Sequence, residues 1–145
     1  MTIRAAGVLA CIASSVQAGC ASSGARSIGT GAGYSVTLVA ADPRAGSDLA
    51  EGQSITLTTT VRYDLAATDS GRVVLLLQDD AGRNLVVGRP QASQLVYRGS
   101  GQVTLSDTLT VPHGIRQLQV FVLLAPWGFG RVSQRVFIDY PVYRQ

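Results

Sequence analysis

Strict alternation between apolar and polar side chains constrains the fold of this chain more than any other feature. From Ile55 to Leu65 the odd-numbered side chains are Ile, Leu, Thr, Val, Tyr and Leu, whereas the even-numbered ones are Thr, Arg and Asp. Because successive side chains of a β-strand point to opposite faces, this segment predicts a strand with one buried and one solvated face. From Tyr34 onward no segment shows a convincing helical period.

Other segments with β-strand patterns follow one another at short spacing. In chain order they start at Val36 and then cover residues 72–78, 85–88, 95–97, 102–111, 117–125 and 131–140. Turn signals lie between them at 79–82, 112–114 and 126–130, where Gly, Pro and Asp concentrate. About seven short strands with such turns predict an all-β chain that forms a single antiparallel β-sandwich.

The pattern between residues 34 and 141 resembles immunoglobulin-like and fibronectin type III domains. Residues 51–57 (Glu-Gly-Gln-Ser-Ile-Thr-Leu) are similar to the usual start of their second strand, and residues 109–112 (Leu-Thr-Val-Pro) to the end of their fifth. The cysteine that antibody domains carry near Thr59 is absent, as is a tryptophan on the third strand. The resemblance therefore implies a disulfide-free sandwich, and it implies no activity because one fold hosts many functions.

The first nineteen residues are predicted to be an export signal and not part of the fold. After Arg4, residues 5–16 are about a dozen apolar or small side chains, fewer than the ~20 that span a bilayer. Ala18-Gly19-Cys20 resembles a bacterial lipobox, which implies cleavage before Cys20 and a lipid on its sulfur. Since Ala21 follows in place of Asp, the resemblance implies an outer-membrane lipoprotein that faces the periplasm or the cell surface.

The lipobox match is incomplete, and this leaves a second interpretation. Gln17 stands where such motifs usually have Leu, and Val16-Gln17-Ala18 also fits an ordinary signal-peptidase site. A secreted protein without a lipid is therefore the alternative. In either case the small side chains of residues 20–33 predict a flexible tether of roughly 20 Å, followed by the β-sandwich domain at 34–145.

Composition and residue spacing exclude several functional classes. The 12 basic residues are all arginine and lie scattered, without the clustered stripe that nucleic-acid binding requires. The only cysteine besides Cys20 is Cys11 in the predicted signal, so no disulfide is expected in the domain. His113 is the only histidine and lies in a predicted turn, while Asp79 and Asp80 lack the spacing of a calcium loop and predict a hairpin turn. The sequence therefore predicts neither an enzyme nor a metal or other cofactor.

Three predicted strands are apolar on both faces, which is unusual for a sheet with one solvated side. Their outward residues are Val74 and Leu76 on the third strand, Phe121 and Leu123 on the sixth, and Phe137 on the last. In immunoglobulin-like domains these strands are neighbours, so the resemblance implies one exposed apolar patch. The patch predicts contact with an envelope protein or self-association, unless residues 88–100 or the tail at 141–145 cover it.

An aromatic loop forms a second candidate site. Residues 126–131 place Trp127, the only tryptophan, and Phe129 among glycines, next to Arg131. Large aromatic side chains in a short connection either cap the core or contact a protein, a carbohydrate or the membrane interface, and a cap is the favoured interpretation. The immunoglobulin-like resemblance places this loop at the end of the domain where the tether joins.

One side chain conflicts with the strand pattern. In the run from Val103 to Val111, alternation turns Asp107 inward, where a carboxylate would need partners. A β-bulge or a strand break near Ser106 is therefore expected.

The sequence as a whole predicts a non-enzymatic, lipid-anchored module of the cell envelope that binds or assembles with proteins. The alternative is a secreted or anchored carbohydrate- or ligand-binding domain that uses the Trp127 loop.

Overall fold

The computed structural model describes residues 24–28, 33–128 and 134–144, and its regular structure is all β-strand, as predicted. The strands are β1 (Ala25–Ile28), β2 (Tyr34–Asp42), β3 (Leu49–Ala50), β4 (Ser54–Asp79), β5 (Ser93–Thr110), β6 (Gln117–Pro126) and β7 (Arg135–Tyr143). Within these described ranges no helix is long and apolar enough to cross a membrane. The predicted signal and Cys20 lie outside the described residues, as do Phe129 and Arg131 of the aromatic loop.

The strands form one sheet in the order β1-β7-β6-β4-β2, with β5 also paired to β4 and β3 also paired to β7. All of these pairs are antiparallel except the short pairing of β3 with β7. The sheet curls until β2 approaches β6 and β7 across the core, so it is nearly closed into a barrel. Curling of one sheet lets its concave face bury a single core without a second sheet.

The longest strand, β4, runs through both halves of this sheet. Its residues 54–65 pair with β2 and with the second half of β5, whereas residues 70–79 pair with β6 and with the first half of β5. Between them, residues 66–69 of β4 lie opposite the single residue Arg98 of β5, and this wide bulge lets the strand bend. The two separate strands predicted on either side of residues 66–71 are therefore one, and two distinct immunoglobulin-like sheets are not confirmed.

Alternation along each strand fills the core as the sequence predicted. The inward side chains of β4, β6 and β7 are all buried, and they are Val73, Leu75, Leu77, Leu118, Val120, Val122, Leu124, Val136, Ile138 and Tyr140. The odd-numbered residues of the first half of β4 meet them from the other side of the curled sheet, with Leu57, Val61 and Leu65 almost without exposure. The predicted strand at 85–88 is not a regular strand, because only an isolated bridge joins Gln78 to Asn84 there.

Tyr140 spans the gap across which the sheet is nearly closed into a barrel. Its side chain is 1% exposed, and its hydroxyl donates a hydrogen bond of 2.7 Å to the carbonyl oxygen of Pro43, just after β2. Burial, together with the nearby carboxylate of Asp42, raises the pKa of Tyr140 to about 12. This bond links β7 to the end of β2, and no ladder of backbone bonds joins those two strands.

The prediction of a flexible tether over residues 20–33 is wrong for its central part. Ala25–Ile28 forms the edge strand β1, with Ala25 opposite Ile138 and Arg26 ion-paired to Asp139 at 3.0 Å. Backbone bonds to the edge of β7 order this segment although it lacks an apolar pattern. The carbonyl of Gly24 accepts a bond of 2.9 Å from Asp139, so β1 starts at the middle of β7 and not at the aromatic loop.

Candidate functional site

The strand register brings all five predicted patch residues onto one outward face of the sheet. Leu76 of β4 lies opposite Phe121 of β6, which in turn lies opposite Phe137 of β7. Val74 and Leu123 form the neighbouring pair, two residues along the same strands. Residues directly opposite one another point to the same side of a sheet, so these five side chains form one apolar face.

The side chains of the apolar face are less exposed than the sequence predicted. Phe121 is 9% exposed and the other four residues are half-buried. The rings of Phe121 and Phe137 meet edge to face at 4.6 Å, and the Arg135 guanidinium lies 5.2 Å from the centre of the Phe137 ring. Most of the two segments proposed as a cover lies beside the face and not across it, because residues 92–100 run alongside β4 and residues 141–143 continue β7.

Exposed aromatic side chains stand at one end of this outward surface. Trp127 is 77% exposed, and its backbone N–H donates to the carbonyl of Ser70 at 2.9 Å. Tyr97 of β5 pairs with Ser70 from the other side and is 65% exposed. Tyr97, Ser70 and Trp127 therefore form one row across β5, β4 and the residue that follows β6. We call it the aromatic row, and its two aromatic backbones lie about 10 Å apart.

The favoured interpretation of Trp127 as a cap on the core is therefore wrong. Pro126, one residue earlier, is buried opposite Gly71, and alternation turns the next side chain to the outside. Tyr97 was not identified as a site residue from the sequence, although it follows buried Val96 in a short strand pattern. That pattern shows that Leu95 and Tyr97 share a side, but it does not show which side faces the core.

One further row of residues connects the aromatic row with the apolar face. Arg72 of β4 lies between Leu95 of β5 and Ala125 of β6, and Leu95 is 45% exposed. The next row along the strands contains Val74 and Leu123. We call the combination of the apolar face, the aromatic row, Leu95 and Arg72 the contact surface, because it is continuous over the second half of the sheet.

Two arginines of the contact surface and its border, Arg72 and Arg135, lack acidic partners within the described chain. Arg72 donates a 3.0 Å bond to the hydroxyl of Ser93, and Arg135 lies over an aromatic ring. Neither forms an ion pair within the described chain, whereas the nearby carboxylates of Asp69 and Asp139 are each paired with another arginine at 3.0 Å. The surface is therefore apolar and aromatic with an excess of positive charge.

Asp107 is buried, and the expected bulge near Ser106 is absent. The pairing of β4 with β5 continues without a shift through Ser106 and Asp107, and the Asp107 side chain is turned inward at 6% exposure. Arg89 reaches it from the preceding loop, and this hydrogen bond raises the pKa of the guanidinium. The second carboxylate oxygen, Oδ2, is buried without a hydrogen-bond partner within the described chain. The inward carboxylate is therefore accommodated by an ion pair with Arg89 and not by the predicted bulge.

The remaining polar candidates have structural roles at turns. His113 is exposed, and its Nδ1 lies 3.3 Å from a carboxylate oxygen of Glu51. The other Glu51 oxygen accepts a bond from the backbone N–H of Gly114 at 2.9 Å, and this bond lowers the pKa of Glu51. Asp79 accepts backbone bonds from Arg83 and Ala81 across the predicted hairpin turn. Within the described ranges no three His, Cys, Asp or Glu side chains cluster as metal ligands would.

Comparisons with known proteins add little to this description. No protein-family model matches the chain, and no curated protein sequence matches it. Among solved structures it is similar to that of a Bacteroides fragilis protein provisionally assigned as a beta-galactosidase, with a TM-score of 0.47 and 16% identical residues. The similarity covers 74% of this chain and 15% of that chain, so the chain spans a small part of that protein's length. A similarity at this level supports no statement on function.

Proposed function

We propose that this chain is a non-enzymatic module of the bacterial cell envelope that binds a protein partner through its contact surface. The observation that carries the proposal is the exposure of Trp127, Tyr97 and Leu95 on one continuous face. Folded domains seldom leave large apolar side chains grouped in water, and such groups are typical of binding sites. Trp, Tyr and Arg are also the residue types that contribute most to binding energy at protein interfaces.

The charge of the contact surface supports an acidic partner. Arg72 and Arg135 have no carboxylate partner within the described chain, so a carboxylate of the partner could pair with each. A symmetric pairing of two copies through this surface would bring four such arginines together, which is unfavourable. We therefore expect a different protein with acidic side chains, rather than a second copy, on this face.

Anchoring at Cys20 is the second part of the proposal and is supported by the lipobox resemblance alone. It would place the domain at the outer membrane, facing the periplasm or the cell surface. Mass spectrometry of the mature protein from its native host tests this, with a diacylglycerol-modified Cys20 at the N-terminus expected. An unmodified chain that starts at Gly19 would contradict it and would favour secretion, without affecting the contact surface.

Photo-crosslinking in intact cells tests the binding proposal. A photoreactive residue at position 97 or 127 is expected to capture one and the same protein, which mass spectrometry then identifies. The control position is Val39, which is 49% exposed and lies on β2, a strand that contributes no residue to the contact surface. For the purified partner, Trp127→Ala and Arg72→Gln should each weaken binding, whereas Val39→Ala should not. Equal capture at all three positions would overturn the proposal.

A carbohydrate ligand is the alternative, and the aromatic row favours it. Two exposed rings, whose backbones lie about 10 Å apart, offer apolar surfaces on which sugar rings could stack. A glycan array probed with the domain, with Trp127→Ala and with Tyr97→Ala distinguishes the two functions. Saturable glycan binding that both substitutions abolish, without a crosslinked protein, would favour the carbohydrate-binding function.

A further inference from the structure

β5 has a partner strand along one side only. It pairs with β4 over almost its whole length, and no other strand of the described chain lies along its opposite edge. The neighbouring β4, by contrast, has β5 on one side and β2 or β6 on the other. An 18-residue strand with one free edge carries a row of backbone donors and acceptors that can pair with another strand.

The backbone bonds at the end of β5 show which residues face this free edge. Val111 donates to Gln53 and accepts from Gly52, so Val111 faces β4. Because the direction of backbone groups alternates along a strand, the odd-numbered residues from 103 to 109 also face β4, whereas Gln102, Thr104 and Ser106 face outward. Thr108 agrees with this alternation, since its carbonyl is not used by β4 and accepts a hydrogen bond of 3.0 Å from the side chain of Arg89.

The middle of this edge lacks the charges that usually prevent strand addition. Residues 99–106 contain no charged side chain, and Asp107, the next residue, is turned inward and paired. Natural sheets commonly protect a long edge with exposed charges or proline. Here Arg89 covers the carbonyl of Thr108 at one end, and the wide bulge opposite Arg98 interrupts the strand at the other. The unprotected part is therefore short and centred near Thr104.

The side chains beside this edge are hydroxyls that pair with one another across strands. Thr60 pairs with Thr104 at 2.9 Å, Thr58 with Ser106 at 2.8 Å, and Thr56 with Thr108 at 2.9 Å. A second β5 strand laid antiparallel along the edge would place its own Thr104 opposite Thr104 and its Ser106 opposite Gln102. The hydroxyl pairing would then continue across the new junction at Thr104, and pairs of this kind stabilise sheets.

We infer that two copies of this chain associate through the free edges of β5, antiparallel and related by a two-fold axis near Thr104. The three outward residues of each copy would form about six backbone hydrogen bonds. A neutral, self-complementary edge suits a second copy, because a two-fold axis brings the same surface together from both sides. The inference does not rest on the proposed function, since the contact surface lies on the other half of the sheet.

Sedimentation of the full chain over a range of concentrations tests the inference. The wild-type protein is expected to form a dimer. Thr104→Lys and Thr104→Glu should each be monomeric, because like charges would lie directly opposite at the axis. An equimolar mixture of these two variants should associate again, since the opposed charges then attract. This rescue distinguishes a broken interface from a misfolded variant.

A proline substitution adds a second, backbone-based readout. Gln102→Pro removes an N–H that points away from β4, so the ladder with β4 remains while each dimer loses two bonds. The dissociation constant should rise by roughly tenfold or more relative to Gln102→Ala, which keeps the N–H. A wild-type chain that stays monomeric at all concentrations would overturn the inference. A dimer that survives Thr104→Lys but is lost in Trp127→Ala would also overturn it, because the contact surface would then be the dimer interface.

Discussion

Replacing Tyr140 by phenylalanine should change stability in opposite directions at neutral and at alkaline pH. At neutral pH the variant loses the 2.7 Å hydrogen bond to Pro43, which joins β7 to the end of β2. A buried hydrogen bond of this kind contributes about 1 kcal/mol to the free energy of unfolding. Since the ring itself is retained and stays 1% exposed, the packing of the core should change little.

At alkaline pH the wild-type protein should lose this advantage. The pKa of Tyr140 is raised to about 12 in the folded state, against its ordinary value of 10.0. Between these values the unfolded state releases the phenolic proton and the folded state keeps it, so stability falls as pH rises. At pH 11, one unit above the pKa of the unfolded state, this loss of stability amounts to about 1.4 kcal/mol. Because the nearby Asp42 is exposed, solvent screening reduces this to about 1 kcal/mol at pH 11.

The two proteins should therefore be about equally stable near pH 11, and the variant should be the more stable one at pH 12. Urea unfolding followed by circular dichroism at pH 7, 9, 10, 11 and 12 measures both free energies. Tyr97→Phe is the matched control for the loss of a hydroxyl, because Tyr97 is 65% exposed and should not change stability at neutral pH. A difference between wild type and Tyr140→Phe that stays constant from pH 7 to 12 would refute the reasoning.

Two further predictions concern the packing of the core and the dependence of stability on pH in the acid range. Leu75→Ala should lower the free energy of unfolding, measured with urea, by about 2–5 kcal/mol, because Leu75 has no exposure. Leu76→Ala, on the half-buried outward face, should lower it clearly less. Equal losses would contradict the register of β4. Glu51→Gln should destabilise the protein at pH 7, and the destabilisation should diminish as the pH falls. The bond from Gly114 lowers the pKa of Glu51 from 4.5, so its contribution is present above that value and is lost as pH falls through the folded value. An acid-unfolding profile that is unchanged in this variant would contradict the assignment.

The alternating pattern was sufficient to predict the β-class and the inward side chains of the central strands. Burying Leu75 and its neighbours depends on the period of two, which local sequence records directly. The same period also placed Phe121 on the outward side. What the pattern could not show is that β4 continues through residues 66–69, because a bulge can absorb small and polar residues that are also typical of a turn.

The features that sequence reasoning missed depend on partners distant in the chain. Asp107 was expected to require a bulge, yet Arg89 comes from a loop 18 residues earlier and supplies the opposite charge. β1 has no apolar pattern and is ordered by backbone bonds to β7, which any sequence can form. Tyr97 joins Trp127 in the candidate site only because both lie beside Ser70 in the folded sheet.

The passage of β4 through both halves of the sheet means that this domain has no internal boundary. Its residues 54–65 bond to β2 and its residues 71–79 bond to β6, so a single strand, with β5 beside it, joins the two halves covalently around one core. Unfolding should then be a single cooperative transition, with similar hydrogen-exchange protection for β2 and β6. A ligand bound on the contact surface would slow exchange in β2 as well, although β2 contributes no residue to that surface.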